Sequence, residues 1–185
     1  MEGFLRVNSA PSGLVSLVEA KAQTRVDAGA DDALLSDYIL AATAAIDGPL
    51  AMAGRAFGAQ TWDYILPAFY GRIVVPVPGA SAVSSSSYYD TDDASQSITL
   101  SDYYRVIIRD NGLLLERKDG IATPETYTRT DAVTITVTAG GDVPEHIKHA
   151  ALLTIANWYE AREMGDVPEA AKTLVNLDRN GWFGG

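Results

Sequence analysis

"AVTITVTAGGDVPEHIKHAALLTIANWYEAREMG" (Ala132–Gly165) decides the fold class, because its apolar period changes halfway along. In the first part Val133, Ile135 and Val137 alternate with three threonines, the period-2 pattern of a strand with one apolar face. Beyond the glycine pair the apolar residues recur at helical spacing. Ile147, Ala151, Thr154 and Trp158 fall on one face, and Leu152, Ile155 and Tyr159 on another. An apolar arc that wide exceeds what one small bundle hides, so the second face is expected to meet the sheet or a neighbouring subunit. Pro144 near the first helical position and Glu145 in the first turn suit the start of this helix, and Gly165 with Pro168 beyond suits its end. Arg162 is well placed for its negative C-terminal end.

Upstream, the pattern is helical over about 12–57. Ser16 and Glu19 have the spacing of a capping box, which starts a helix at Leu17 that runs to about Val26. "DAGADD" breaks it and supplies aspartates to cap a second helix. There Leu35, Tyr38, Ile39, Ala42 and Ile46 line one face and Ala41, Ala44 and Ala45 another. Gly48-Pro49 stops that helix, and "LAMAGRAF" suggests a short one after it.

Between about 58 and 138 the helical period is lost. "TWDYILPAF" alternates, "RIVVPVP" suits an edge strand, and "SAVSSSSYYD" with "SQSITL" flanks a polar turn. "YYRVIIRD" and "LLLERKD" form a hairpin with Asn111-Gly112 as a type I′ turn. The expectation is an antiparallel sheet of about five or six strands. A shorter helix, "PEAAKTLVNL", follows the long one. The fold class is α+β: terminal helices forming a small bundle, with an antiparallel sheet inserted between them. The expected organisation is a single domain over 1–185. It comprises a lead-in (1–13), a bundle (14–57 and 142–177), a β region (58–138) and a C-terminal arm (178–185).

Composition narrows the chemistry. The 185 residues, 47% apolar and 21% charged, are enough for a packed core. The absence of cysteine excludes disulfides, thiol nucleophiles and Cys-based zinc sites. The N-terminal stretch lacks a signal-peptide core, and no apolar run approaches the ~20 residues of a membrane span, so a soluble, intracellularly made protein is expected.

The net charge is −10, from 14 basic and 24 acidic residues, and the acids are unevenly placed. No cation lies between Arg25 and Arg55, where Asp31, Asp32 and Asp37 fall, or between Arg72 and Arg105, where Asp90, Asp92 and Asp93 fall. Gripping a nucleic-acid backbone requires clustered cations, which these stretches lack. They suit solubility, or a surface that faces DNA without holding it.

Candidate catalytic and metal residues are weak. His146 and His149 stand at i, i+3 beside Glu145, a spacing that can share a metal, but a solvated first helical turn explains them better. "DTDDAS" (Asp90–Ser95) offers calcium-type oxygens but puts Ser95 where a calcium loop has glycine, so it reads as a turn. No GxSxG elbow, P-loop or Rossmann glycine pattern is present. A carboxylate-dependent hydrolase stays an alternative of lower rank. No catalytic residue, cofactor or metal is expected. Trp182 and Phe183, on a Gly-flanked tail beside Arg179, are poor core and good anchors.

Several stretches, in their order, resemble the head–tail connector (adaptor) proteins of long-tailed bacteriophages. They are "VSLVEAKAQTRVD" (Val15–Asp27), "DDALLSDYILAATAAIDG" (Asp31–Gly48), "GRAFGAQTW" (Gly54–Trp62), "SSSSYYDTDDASQSITLSDYYRV" (Ser84–Val106) and "VTAGGDVPEHIKHAALLTIANWYEAREMG" (Val137–Gly165). The last contains a "WYE.RE" signature. The resemblance spans about residues 14–178. It implies a structural virion protein: a homo-oligomeric ring, twelve-fold, below the portal at the neck between head and tail. The ring extends the DNA channel without sequence-specific binding and docks the stopper or tail-completion protein. It would be assembled in the host cytoplasm, with no membrane partner. A stopper or tail-completion protein of the same neck is the alternative. The sites that go with it are an arm of Arg179, Trp182 and Phe183 reaching the portal or a neighbour, and a subunit interface of Leu152, Ile155 and Tyr159. An acidic channel or surface would use Asp31, Asp32, Asp37, Asp90, Asp92 and Asp93.

Overall fold

The computed structural model describes residues 3–27 and 29–178. They form an α+β fold that divides into two compact units, one of residues 3–10 and 60–140 and the other of 11–27, 29–59 and 141–178.

The second unit is a helical bundle. Helix α1 (Leu17–Thr24) starts on the full capping box: Ser16 Oγ accepts from the Glu19 N–H, and Glu19 returns to the Ser16 N–H at 2.7 Å. Arg25 ends it in the left-handed region. Helix α2 (Asp32–Ile46) follows one 3-10 turn (Gly29–Asp31) and buries Leu35, Tyr38, Ile39, Ala42 and Ile46, the face its spacing predicts. The capping aspartates behave differently from expectation. Asp31 occupies the N-cap but makes no cap hydrogen bond, and Asp32 pairs with Lys21 at 2.7 Å.

"LAMAGRAF" is a turn rather than a helix. Its donors go elsewhere: Met52 and Ala53 N–H return to the Ala45 and Ile46 carbonyls, closing the end of α2. The buried carboxylate of Asp47 accepts from the N–H groups of Phe57 and Gly58 at 2.7 and 2.9 Å. A Cβ on Gly58 would stand 2.6 Å from the Ser12 carbonyl oxygen, so only glycine fits there. Helix α4 (Glu145–Ala161) packs on α1, α2 and α5 (Glu169–Asn176). It ends at Arg162 in the left-handed conformation, short of the expected Gly165.

The first unit holds two antiparallel sheets, where a single sheet was expected. Five strands run β1 (Phe4–Ser9), β2 (Gln60–Leu66), β8 (Val133–Ala139), β4 (Ala80–Tyr89) and β5 (Ser95–Ser97), in that spatial order. Three more run β3 (Arg72–Val75), β7 (Gly112–Arg117) and β6 (Tyr104–Arg109), with β7 central. A one-turn helix, α3 (Leu100–Tyr103), precedes β6. The alternating stretch that became β8 takes the centre of the larger sheet, and Val133, Ile135 and Val137 are fully buried. Because β2 and β4 occupy both edges of β8, the remaining hairpin builds its own sheet with β3.

The hairpin turn is also shifted by one residue. Arg109 pairs with Gly112, so Asp110-Asn111 is the loop and Asn111 has no positive φ. Gly112 carries the positive φ of 127° instead, and a Cβ there would lie 2.0 Å from the Val75 carbonyl oxygen. The hairpin closes against β3 through a position that only glycine can fill.

Candidate functional surfaces

The strand β1 lies in the lead-in, where the sequence suggests no element. It forms an edge of the larger sheet, antiparallel to β2. A polar cluster holds it there. Asp63, on β2, is 5% exposed and accepts from Arg6 at 2.8 Å, Asn8 at 3.0 Å and Thr136 at 2.7 Å. Burial alone would raise the Asp63 carboxyl, but the hydrogen bonds from Arg6, Thr136 and Asn8 outweigh it and hold the group below the usual carboxylate range. The signal in the sequence was an aspartate among the apolar residues of a strand; its partners lie more than fifty residues away.

The six aspartates expected to form an acidic surface separate into two sets, three in each unit. In the bundle, Asp31 accepts from the Tyr159 hydroxyl at 2.5 Å, with Arg162 at 3.9 Å from the same oxygen. Asp32 is paired with Lys21, and Asp37 stands exposed on α2. In the sheet unit all three remaining aspartates sit at the β4–β5 turn. Asp90 accepts from the Asp92 and Ala94 N–H groups and from Gln96 Nε2, which keeps its carboxyl low. Asp93 pairs with Arg129, whose guanidinium also grips Asp131 and lies 3.8 Å over the Tyr89 ring. The stretch without its own cation thus acquires one from a distant loop. Asp92 is exposed at the tip.

On α4 the two neighbouring aromatics diverge. Trp158 turns into the bundle core, 4% exposed, edge-on to Tyr38 at 6.1 Å. Among the described residues its indole N–H has no hydrogen-bond partner. Tyr159 leans out to Asp31, and the Arg162 guanidinium sits 4.4 Å over its ring. The hydrogen bond to Asp31 raises the Tyr159 phenol above its ordinary range. Ile155, grouped with Leu152 and Tyr159 by the helical wheel, is fully buried in the bundle, whereas Leu152 and Tyr159 lie at its margin. His146 Nε2 meets Asp178 at 2.7 Å, tying the end of the described chain to the first turn of α4, and His149 is exposed. Arg179, Trp182 and Phe183 lie outside the described residues. Among the described residues no group of three His, Asp or Glu side chains is placed to hold a metal ion, and no helix is long and apolar enough to cross a membrane.

No family model matches the chain, and no curated protein matches its sequence. Solved structures do match its fold. A chain in the neck of an empty gene transfer agent (GTA) particle, computed with C6 symmetry, is 22% identical, with a TM-score of 0.74 over 96% of this chain and 95% of that one. A chain in the virion of a native GTA particle is 24% identical, with a TM-score of 0.72 over the same shares. A chain in the neck of a native GTA particle, computed with C12 symmetry, is 19% identical, with a TM-score of 0.60 over 92% of this chain and 94% of that one. At these identities the likeness is one of fold, and it takes in helices and sheets alike.

Proposed function

We propose that this protein is a structural component of a virion neck, an adaptor subunit in a ring of twelve between the portal and the stopper or tail. The observation that carries the proposal is the fold likeness to neck chains over 96% of the chain, which agrees with the connector resemblance of its sequence. Those relatives sit in particles treated with C6 and C12 symmetry, which suits a cyclic assembly. In this reading the protein turns over no substrate. Its work is to be a joint.

The surfaces take roles accordingly. Leu152 and Tyr159, at the margin of the bundle, contact the next subunit; Ile155 supports them from inside. Asp37, Asp92 and Asp93, the exposed members of the two acidic sets, belong to the surfaces that pass DNA without holding it, because a repelled polyanion slides. Arg179, Trp182 and Phe183 anchor the ring to the portal or to a neighbour as a late contact of assembly. DNA passes through the ring without sequence-specific contact.

An image of the neck of purified particles, with this chain located in the density, tests the proposal. Density for a ring of this fold directly under the portal is the expected result. The same fold one layer further from the head makes the protein a stopper, and purified particles without this chain overturn the neck role.

A further inference from the structure

The sheet β3-β7-β6 ends in a strand with an unprotected edge. β6 reads YRVIIR and pairs with β7 alone among the described residues, so its outer N–H and C=O groups have no strand beside them. Tyr104 is buried, but Arg105, Val106, Ile107, Ile108 and Arg109 are all exposed. The three apolar residues are 39%, 37% and 63% exposed. Soluble proteins blunt such edges with short strands, charge or proline, because a bare apolar edge recruits other strands. The opposite edge of the same sheet obeys this: β3 has four residues and runs into Pro76 and Pro78. β6 keeps an apolar centre and carries charge only at its ends.

Those end charges restrict what can add to the edge. Alternation puts Arg105, Ile107 and Arg109 on one face, so an incoming strand meets both arginines. Among the described residues neither arginine is in an ion pair: Arg105 lies across from Glu116 without a bridge, and Arg109 lies across from Gly112. A second copy of β6 fits poorly. Antiparallel about Ile107, it sets Arg105 against Arg109 at both ends, and parallel in register it sets each arginine against itself. Like charges directly opposite destabilise a strand pair.

We propose that β6 is a docking edge for strand addition by an extended segment of another polypeptide, one with acidic residues at i and i+4 around an apolar residue. Backbone hydrogen bonds along Arg105–Arg109 supply affinity, and the two arginines select the charge of the segment and set its register. The proposal does not depend on the neck reading.

Two probe peptides test it on the full chain: Thr-Glu-Thr-Val-Thr-Glu-Thr and its lysine counterpart, Thr-Lys-Thr-Val-Thr-Lys-Thr. Hydrogen exchange of the β6 amides is the readout. The acidic peptide at millimolar concentration is expected to slow alternate β6 amides about fivefold more than the lysine peptide does. R105E/R109E is expected to reverse that preference, and R105Q/R109Q to abolish it; the neutral variant serves where the reversed one does not fold. Equal protection by both peptides, no protection by either, or protection that grows with protein concentration alone (a second copy on the edge) overturns the proposal.

Discussion

Helix α4 and strand β1 are held in place by opposite means. Along α4, Ile147, Ala150, Ala151, Thr154, Ile155 and Trp158 are buried together, and removal of apolar area from water supplies the stabilisation. β1 buries almost nothing: Phe4 and Val7 are 51% and 48% exposed. It is held by its ladder to β2 and by the buried carboxylate of Asp63, which gathers Arg6 and Asn8 from β1 and Thr136 from β8. The bundle resists through packing, which is diffuse. The sheet unit packs a core of its own around Val133, Ile135 and Val137, but adds a few points where one atom decides the outcome, and each point can be struck separately.

The largest effect is expected from Gly112→Ala, which forces a Cβ into the Val75 carbonyl at a positive φ and costs about 4 kcal/mol. Hydrogen exchange should show the loss concentrated in β3, β6 and β7; equal loosening of α4 would mean that the two units share their stability. Ile155→Ala should cost about 3 kcal/mol through an unfilled cavity, read by chemical denaturation of the isolated chain. A substitution that spares stability but blocks assembly would instead make Ile155 an interface residue.

Asp63→Ala should cost about 2 kcal/mol, because Thr136 and Asn8 lose a buried acceptor. Asp63 adds a pH signature. Its folded carboxyl titrates below the unfolded value of about 3.9, so its stabilisation is complete above that range and is lost as pH falls through the folded value. Asp63→Asn should therefore flatten the acid limb of a stability profile below about pH 4, and an unchanged limb would remove Asp63 from the account. Tyr159→Phe should shift a chemical denaturation curve only slightly, since the hydroxyl pairs with Asp31 at the surface. If the proposed ring interface holds, combining Leu152→Ser with Tyr159→Ser should leave the fold intact and lower particle yield. Deleting Gly181–Gly185 should act similarly, with a normal circular dichroism spectrum and a low yield of particles.

The same contrast governs what could be read from the sequence. Packing leaves a periodic trace, so the core faces of α2 and α4 and the alternation of β8 are legible. The point contacts leave none. β1 lacks an apolar face, and what fixes it is an aspartate far along the chain. "LAMAGRAF" has helix-forming residues, but its donors are claimed by α2 and by Asp47. α4 stops at a left-handed Arg162 rather than at the glycine beyond, and the Arg162 guanidinium lies on Tyr159 near Asp31, contacts with no trace in the sequence. Of the surface residues, the acids were legible as a group, but their partners were not: Lys21, Arg162 and Arg129 approach from other elements. Asn111-Gly112 misled by one residue, since the close approach of β3 outweighed the turn preference of the dipeptide.

The junctions of the bundle carry one further consequence. The chain crosses between the units at 10–11, 59–60 and 140–141. On the bundle side these strands of chain are stapled together: the Ser12 N–H donates to Ala59, the Ala59 N–H donates to Ser12 Oγ, and the Gly141 N–H donates to Phe57. The bundle thus carries its own clamp on the ends of all three crossing segments, built from Ser12, Phe57, Ala59 and Gly141.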